Sequence, residues 1–226
     1  QVVGFDSNAE ARQRVEQHGA QSATSLDALV RKLKPPRTLW MMVPAGTATD
    51  ETVTALLDLL QTGDTIVDGG NSNYKSTQLR SQRCAEKQLN YLDCGTSGGI
   101  WGLTEGYSMT IGGEASVVAR LRPIFETLAP APDRGWGHVG PSGAGHFTKM
   151  IHNGIEYGLM QAYAEGFSII EHKSEFALDL HQVAEIWRHG SVVRSWLLDL
   201  TANALQSNPH LEGPAPHVGD CGEGRW

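Results

Sequence analysis

Hydrophobic and polar positions follow two alternating patterns through the first two-thirds of the chain. Short apolar runs at 2–6, 38–43, 65–68, 89–94 and 107–111 predict strands. Longer stretches at 8–18, 48–60, 74–87 and 114–128 predict the helices between them. Strands that alternate with helices of this length are typical of βαβ units, so we expect a Rossmann-like, doubly wound parallel sheet with helices on both faces.

The pattern changes in a stretch rich in glycine and proline at 135–145. Beyond it, helical stretches at 146–171, 179–189 and 194–204 occur without any strand pattern. We therefore expect an α/β domain over residues 1–142 and an all-helical domain over residues 143–226. The chain begins directly on a strand without an initiator methionine and ends in a glycine-rich loop at 222–226, so we also expect an internal piece of a longer protein, with its helical domain truncated.

Composition excludes several classes of protein. The 226 residues are 40% hydrophobic and 19% charged, as in soluble globular proteins, and a net charge of −7 argues against binding to nucleic acid or to an anionic membrane. Cys84, Cys94 and Cys221 show neither a disulfide framework nor metal-ligand spacing, and the nine histidines form no metal-binding pattern. No apolar run is long enough to span a bilayer. We expect a cytoplasmic enzyme that uses no metal.

The ends of the predicted strands carry candidate cofactor ligands, because open parallel sheets bind ligands at that edge. An acidic residue such as Asp6 at the end of the second strand of a dinucleotide fold binds the adenosine ribose hydroxyls and repels a 2′-phosphate, which favours NAD over NADP. A carboxylate at a helix N-cap is the structural alternative. After the next strand, Val43, Pro44 and Ala45 are small enough to let a nucleotide approach the backbone.

Two glycines and a short amide, Asn71, follow the strand at 65–68. They let a ligand approach the backbone, although a plain tight turn has the same composition. The Gly-x-Gly-x-x-Gly phosphate loop is absent from the sequence. Since that loop belongs between the first strand and the first helix of the fold, we expect this chain to begin at the second strand.

The segment 95–99 follows the fourth predicted strand and matches Gly-x-Ser-x-Gly, the nucleophile elbow of hydrolases. An elbow requires a helix directly after the serine, whereas 100–106 is predicted to be a loop, and no Asp and His complete a triad. A serine hydrolase is therefore the less favoured interpretation. The hydroxyl of Ser97 and the backbone N–H groups of Gly98 and Gly99 suit the carboxylate of a sugar acid instead.

Five polar side chains lie within an arc of about 140° on the long predicted helix: Lys149, His152, Asn153, Glu156 and Tyr157. A solvated helix face is the simpler interpretation, but His, Asn and Tyr are unusual there, and the neighbouring residues are apolar or small. Oxidation of an alcohol by hydride transfer requires a base for the hydroxyl proton. Lys149 could serve if its surroundings favour the neutral amine, and Glu156 is placed to donate a proton at another carbon.

Together, the segments 68–72 (DGGNS), 95–99 (GTSGG), 143–149 (GAGHFTK) and 150–157 (MIHNGIEY) resemble decarboxylating 6-phosphogluconate dehydrogenases. The resemblance covers nearly the whole chain and is closest to the shorter bacterial type, as 187–196 also suggests. It implies oxidation of 6-phosphogluconate at C3, loss of CO2 and tautomerisation of the enediol to ribulose 5-phosphate. Where NADP-using members carry Asn-Arg or a similar pair after the second strand, this chain has Asp6 and Ser7.

The resemblance also implies a role for each matching residue. Lys149 is the general base, Glu156 is the acid of the last step, and Asn71 lies beside the nicotinamide. Substrate contacts are implied for Asn71, Ser97, Gly98, Gly99, His152 and Asn153, and phosphate contacts for Tyr157 and Arg225. It further implies a homo-oligomer. A related β-hydroxyacid dehydrogenase with another substrate and a catalytically inactive fragment are the remaining alternatives, and the two phosphate-matching residues argue against the first.

Overall fold

The computed structural model describes residues 2–210 and Gly213, which divide into two compact units. The first unit extends to Met150 and the second begins at Ile151. The sequence predicts a boundary between residues 142 and 143, before the long helix, whereas the structural boundary follows Met150, within that helix.

The first unit contains the alternating elements that the hydrophobic pattern predicts. Its helices and strands in chain order are β1 (Val3–Phe5), α1 (Ala9–Gln17), β2 (Gln21–Ala23), α2 (Leu26–Lys32), β3 (Thr38–Met41), α3 (Thr47–Leu59), β4 (Thr65–Asp68), α4 (Tyr74–Glu86), β5 (Asn90–Ser97), α5 (Gly102–Glu105), β6 (Ser108–Gly112), α6 (Ala115–Leu128), β7 (Trp136–Gly140) and the start of α7 (Ala144–His172).

The strands form a parallel pair, β1–β2, and a five-stranded sheet of order β3-β4-β5-β6-β7. Strands β3, β4 and β5 are parallel neighbours, which confirms the Rossmann-like parallel sheet. Strand β6 runs antiparallel to β5 and parallel to β7. The direction changes there because only the short segment 98–107 joins β5 to β6, and a parallel connection needs a crossover of a dozen or more residues.

Helices cover both faces of the sheet, as a doubly wound fold requires. All four residues of β4 are buried, and adjacent side chains on this strand enter different cores. Ile66 packs in a cluster with Leu56 of α3 and Cys84 of α4, whereas Val67 packs in a cluster with Phe125 of α6. The continuous apolar run at 65–67 is therefore the signature of a strand that is buried on both sides.

Strand β2, helix α2 and strand β7 are among the elements of the first unit that the hydrophobic pattern did not predict. Strand β2 pairs with β1 through only three residues, and β7 contains two glycines within the stretch expected to be irregular. Helix α2 begins after Ser25, whose hydroxyl accepts a hydrogen bond from the N–H of Ala28 at 3.1 Å. Each of these elements is short and depends on a partner that a local hydrophobic pattern does not contain.

The described part of the second unit is all-helical, as the sequence predicts. It consists of the rest of α7, a 3-10 turn at Ser174–Phe176, α8 (Leu180–Arg188) and α9 (Trp196–Ser207). Phe167, Ala184 and Leu198 are buried at the centre of its hydrophobic core. Within the described residues, no helix is long and apolar enough to span a membrane.

Candidate active site

Asp68 organises the turn that follows β4. Its buried carboxylate accepts hydrogen bonds from the N–H of Gly70 at 3.2 Å, the hydroxyl of Ser72 at 2.9 Å and the hydroxyl of Tyr91 at 2.9 Å. Burial raises the pKa of Tyr91, and the neighbouring Asp68 charge raises it further, so the phenol stays protonated and can donate. These contacts define the backbone that presents the half-buried Asn71.

The turns after β3 and β4 approach each other closely at the same edge of the sheet. A Cβ atom at Gly70 would lie 3.0 Å from the carbonyl oxygen of Val43, so a side chain there would fill the space between the two turns. Pro44 and Ala45 are exposed beside it. Gly46, with φ at +91°, is the N-cap residue of α3. The glycine at position 70 thus allows the two turns to approach closely at the edge where parallel sheets bind their ligands.

Asp6 lies in the exposed turn between β1 and α1. Its Oδ1 accepts a hydrogen bond from the N–H of Asn8 at 2.7 Å, and Asn8 itself is the N-cap of the helix. The Asp6 carboxylate therefore supports the helix start without being its N-cap. Nη1 of Arg12 donates to the carbonyl oxygens of Asp6 at 2.6 Å and Ser7 at 3.1 Å. Arg12 was not among the predicted site residues, although a basic residue in the first turn of α1, close in sequence to Asp6, was a usable signal.

The segment at 95–99 differs from its prediction. Gly95 and Ser97 belong to β5 rather than to a loop after it, and Ser97 pairs with Ser108 of β6. The predicted loop at 100–106 is also wrong, because a 3-10 turn at Gly99–Trp101 and the short α5 occupy it. Both glycines after the serine have positive φ, at +139° and +52°.

Ser97 has no nucleophile-elbow geometry. An elbow places its serine on a strained turn, whereas Ser97 is a strand residue. Within residues 2–210, Gln88 and Ala177 are the non-glycine residues with positive φ, and Ser97 is not among them. The chain instead turns at Gly98 and Gly99, so the geometry argues against the hydrolase interpretation.

Lys149 is buried in the first turns of α7 and lies directly on β5. Lys149 is 8% exposed, and a Cβ atom at Gly95 would lie 2.5 Å from the Lys149 Cβ. The structure therefore brings the predicted base to the strand that ends at Ser97. The hydroxyl of Thr110 on β6 donates to the carbonyl oxygen of Gly145 at 3.1 Å and holds the same helix start.

The remaining candidates of α7 belong to the second unit. Nδ1 of His152 lies 3.2 Å from Oδ1 of Asn153 and 3.8 Å from Oε2 of Glu156. Asn153 is 5% exposed, Glu156 is half-buried and Tyr157 is exposed. The predicted Arg225 lies outside the described residues. Across the described ranges, no cluster of His, Cys, Asp and Glu has the geometry of a metal site.

Comparison with known proteins identifies the family of the chain. Residues 1–139 match the NAD binding domain of 6-phosphogluconate dehydrogenase, and residues 145–175 match the C-terminal domain of the same enzyme. The NAD(+)-dependent, decarboxylating 6-phosphogluconate dehydrogenase of Haloferax volcanii is 43% identical over 227 residues, which cover 100% of this chain and 74% of that protein. The chain belongs to the 6-phosphogluconate dehydrogenase family. The resemblance predicted from its motifs is thus confirmed.

Solved structures agree with this assignment. The 6-phosphogluconate dehydrogenase of Plasmodium falciparum, described with NADP+ and with 6-phosphogluconate, superposes with a TM-score of 0.85 at 31% identity, over 96% of this chain and 49% of that chain. A 3-hydroxyisobutyrate dehydrogenase of Mycobacterium tuberculosis, at 23% identity and a TM-score of 0.74, covers 95% of this chain and 68% of that one and shares the fold. The first unit of this 6-phosphogluconate dehydrogenase family member is an NAD(P)-binding domain.

Proposed function

We propose that the protein containing this chain oxidises 6-phosphogluconate with NAD and decarboxylates the product to ribulose 5-phosphate and CO2. The observation that carries the proposal is the packing of the buried Lys149 on Gly95, two residues before Ser97. In this arrangement Lys149, as the proposed base, would lie near the backbone and hydroxyl groups that we expect to bind the carboxylate of a sugar acid. The name of the Haloferax volcanii relative supports the same substrate.

NAD fits the strand ends of the first unit. Val43, Pro44 and Ala45 would contact the nucleotide, because they follow β3 at the ligand-binding edge and Pro44 and Ala45 are exposed there. Asp6 would bind the ribose hydroxyls through its carboxylate, and Asn71 would lie beside the nicotinamide. When bound, the nicotinamide accepts the hydride from C3 of the substrate. The negative charge of Asp6 favours NAD, because it would repel a 2′-phosphate.

Two residues of α7 carry out the proton transfers of the proposed reaction. Lys149 takes the proton of the C3 hydroxyl as the general base of the oxidation. After CO2 has left the 3-keto acid, Glu156 donates a proton to carbon in the tautomerisation of the enediol. Its partly exposed carboxyl group on α7 lies 3.8 Å from the His152 ring. Lys149 and Glu156 thus divide the base and acid roles.

The other residues orient the substrate. Ser97, Gly98 and Gly99 would bind the carboxylate, since the hydroxyl and the N–H groups of a turn are donors. His152, Asn153 and Asn71 would contact the sugar hydroxyls. Tyr157 and Arg225 would bind the phosphate, for which an arginine offers bidentate hydrogen bonds. We also expect the intact protein to be a cytoplasmic homo-oligomer, and sedimentation velocity tests the oligomeric state.

A related β-hydroxyacid dehydrogenase is the second candidate, since a 3-hydroxyisobutyrate dehydrogenase shares the fold. The deciding experiment compares 6-phosphogluconate with gluconate as substrates of the intact protein, with NAD and NADP assayed separately. We expect kcat/KM to be much higher for 6-phosphogluconate. Equal efficiency on both acids would rule out the phosphate-binding role of Tyr157 and Arg225.

Replacement of Lys149 by Ala tests the base. We expect a loss of oxidation of about 10² to 10⁴-fold, the usual contribution of a general base. Lys34→Ala, which alters an exposed lysine between α2 and β3, is the matched control and should retain the rate. Unchanged turnover in Lys149→Ala would exclude Lys149 as the base.

A further inference from the structure

The buried carboxylate of Asp93 clamps the start of α7 onto strand β5. Asp93 has no exposed surface. Its Oδ1 accepts a hydrogen bond from the N–H of Gly143 at 2.8 Å, and its Oδ2 accepts one from the N–H of His146 at 2.9 Å. Both N–H groups lie at the N-terminus of α7, where backbone N–H groups have no acceptor within the helix. The helix dipole also favours a carboxylate at this end. The contact joins residues fifty positions apart in the chain.

The side chain of His146 makes a second attachment. Its Nε2 lies 3.2 Å from the carbonyl oxygen of Asp68, the last residue of β4, and its Nδ1 lies 2.7 Å from the hydroxyl of Thr77 on α4. His146 is 2% exposed. One helix turn is thereby attached to the carboxyl end of β4, which precedes Asn71, and to Asp93 in the middle of β5, the strand that ends at Ser97.

The first turn of α7 packs against the sheet without room for a side chain at position 145. A Cβ atom at Gly145 would lie 2.5 Å from the carbonyl oxygen of Thr110 and 2.7 Å from that of Asp93. Lys149 follows His146 by three residues, so both project from the same side of α7. The position of the Lys149 amine relative to β5 therefore depends on how the first turn of α7 is held.

We propose that Asp93 is a positioning residue for Lys149. Without its carboxylate, two buried N–H groups lose their acceptor, and the helix start can relieve that loss only by moving or by admitting water. A displacement of about 1 Å at a reacting group can cost about 10²-fold in rate. The inference rests on the proposed function in so far as Lys149 is the base of the oxidation.

Asp64 provides a matched comparison. It is also fully buried, and it accepts the backbone N–H of Arg37 at 2.6 Å and that of Gln61 at 3.0 Å. It lies before β4, at the edge of the sheet opposite to the loops that carry Asn71 and Ser97. Asp93→Ala and Asp64→Ala therefore each remove a buried carboxylate that accepts two backbone N–H groups, and Asp64→Ala also breaks an ion pair with Arg37. Only Asp93→Ala makes its change beside Lys149.

The experiment measures kcat, KM and Tm of the intact wild-type protein, Asp93→Ala, Asp93→Asn and Asp64→Ala, together with hydrogen–deuterium exchange of peptides spanning 141–149. We expect Asp93→Ala to lower kcat by about 10 to 10²-fold with KM changed by less than about threefold, and to accelerate exchange in 141–149. Asp93→Asn retains one acceptor oxygen and should recover part of kcat. Asp64→Ala should lower Tm while retaining kcat.

Two outcomes would overturn the proposal: an unchanged kcat in Asp93→Ala, or an equal loss of kcat in Asp64→Ala. If Asp93→Ala does not fold, Asp93→Asn is the deciding variant. A wild-type kcat together with wild-type exchange in 141–149 in Asp93→Asn would contradict the positioning role of Asp93. If the wild-type protein prefers a different hydroxy acid, the proposed function fails, whereas the same comparison made on that acid still tests Asp93.

Discussion

Gly95 and Lys149 are packed so closely that position 95 has no room for a side chain. A Cβ atom at Gly95 would lie 2.5 Å from the Cβ of Lys149, well inside van der Waals contact. The absence of a side chain on the strand therefore determines how near the lysine comes to the end of β5 at Ser97. A glycine that sequence inspection assigns to a substrate loop thus serves the approach of helix to strand.

The replacement Gly95→Ala should lower both activity and stability. The new methyl group would also meet the hydroxyl of Thr110 at 2.6 Å and the carbonyl oxygen of Gly145 at 2.7 Å, so α7 must shift away from the sheet. Overpacking of this kind costs about 1 to 3 kcal/mol. Oxidation rates and chemical denaturation of the intact protein measure the two effects.

Gly137→Ala is the control for this prediction, because Gly137 also lies in a strand, β7, and has nothing within 4 Å of an added Cβ. It should leave the oxidation rate unchanged. If Gly95→Ala retained the wild-type oxidation rate and stability, that result would contradict the close packing of Lys149 on β5.

The cofactor preference depends on the charge of Asp6. Asp6→Asn keeps the oxygen that accepts the Asn8 N–H and removes only the negative charge. We expect the ratio of kcat/KM for NADP to that for NAD to rise about tenfold, equivalent to about 1.4 kcal/mol, since the repulsion of a 2′-phosphate is lost and Arg12 remains beside the turn.

Glu10→Gln controls for overall charge, because it removes one exposed carboxylate in the first turn of α1 and should leave the ratio unchanged. The assay compares both cofactors at saturating substrate. A wild-type preference for NADP, or an equal change in both variants, would contradict the role of Asp6.

Local pattern predicted the parts of the fold that are buried and repetitive. Strand β4 coincides with its predicted bounds, because every residue of Thr65–Asp68 is buried and the run has no interruption. Strand β2 is three residues long and ends in the only buried one, Ala23, so its sequence contains no alternation to detect. Strand β7 includes glycines with low strand propensity and exists because β6 offers it a hydrogen-bonding edge.

The same distinction between local pattern and tertiary contact applies to the candidate site. Helical spacing was sufficient to group Lys149 with the other polar residues of α7, because i, i+3 and i+4 positions share a face whatever the rest of the fold. Asp93 was missed because its partners, Gly143 and His146, are brought to it only by folding. A carboxylate within the apolar run 89–94 was nevertheless a signal, since a buried charge requires hydrogen-bonding partners.

The two described cysteines should be unreactive in the folded protein. Burial raises the pKa of Cys84 to about 11 and that of Cys94 to about 12, so almost no thiolate is present at neutral pH. We expect iodoacetamide at pH 7.5 to leave both thiols unmodified in the native state and to alkylate both in guanidinium chloride. Peptide mass spectrometry measures the modification, and rapid native alkylation of either would contradict their burial.

The ion pair between Arg37 and Asp64 should make stability depend on pH in the acid range. Burial alone would raise the pKa of Asp64, but hydrogen bonds from the N–H groups of Arg37 and Gln61 and from the Arg37 guanidinium, at 2.9 Å, outweigh it and hold this pKa below its ordinary value of 3.8. The folded state therefore binds fewer protons at Asp64 than the unfolded state. The resulting stability is present above the unfolded pKa and is lost as the pH falls through the folded pKa.

Asp64→Asn should consequently lower the free energy of unfolding at pH 7 by roughly 3 kcal/mol, the usual cost of breaking a buried pair, and the difference from wild type should narrow below about pH 4. Denaturant titrations between pH 7 and pH 3 measure this difference. Asp27→Asn breaks the exposed pair with Arg31 and should change stability by less than about 1 kcal/mol at every pH, because solvent screens that pair. A gap between Asp64→Asn and wild type that stays constant down to pH 3 would show that the carboxylate charge does not stabilise the fold.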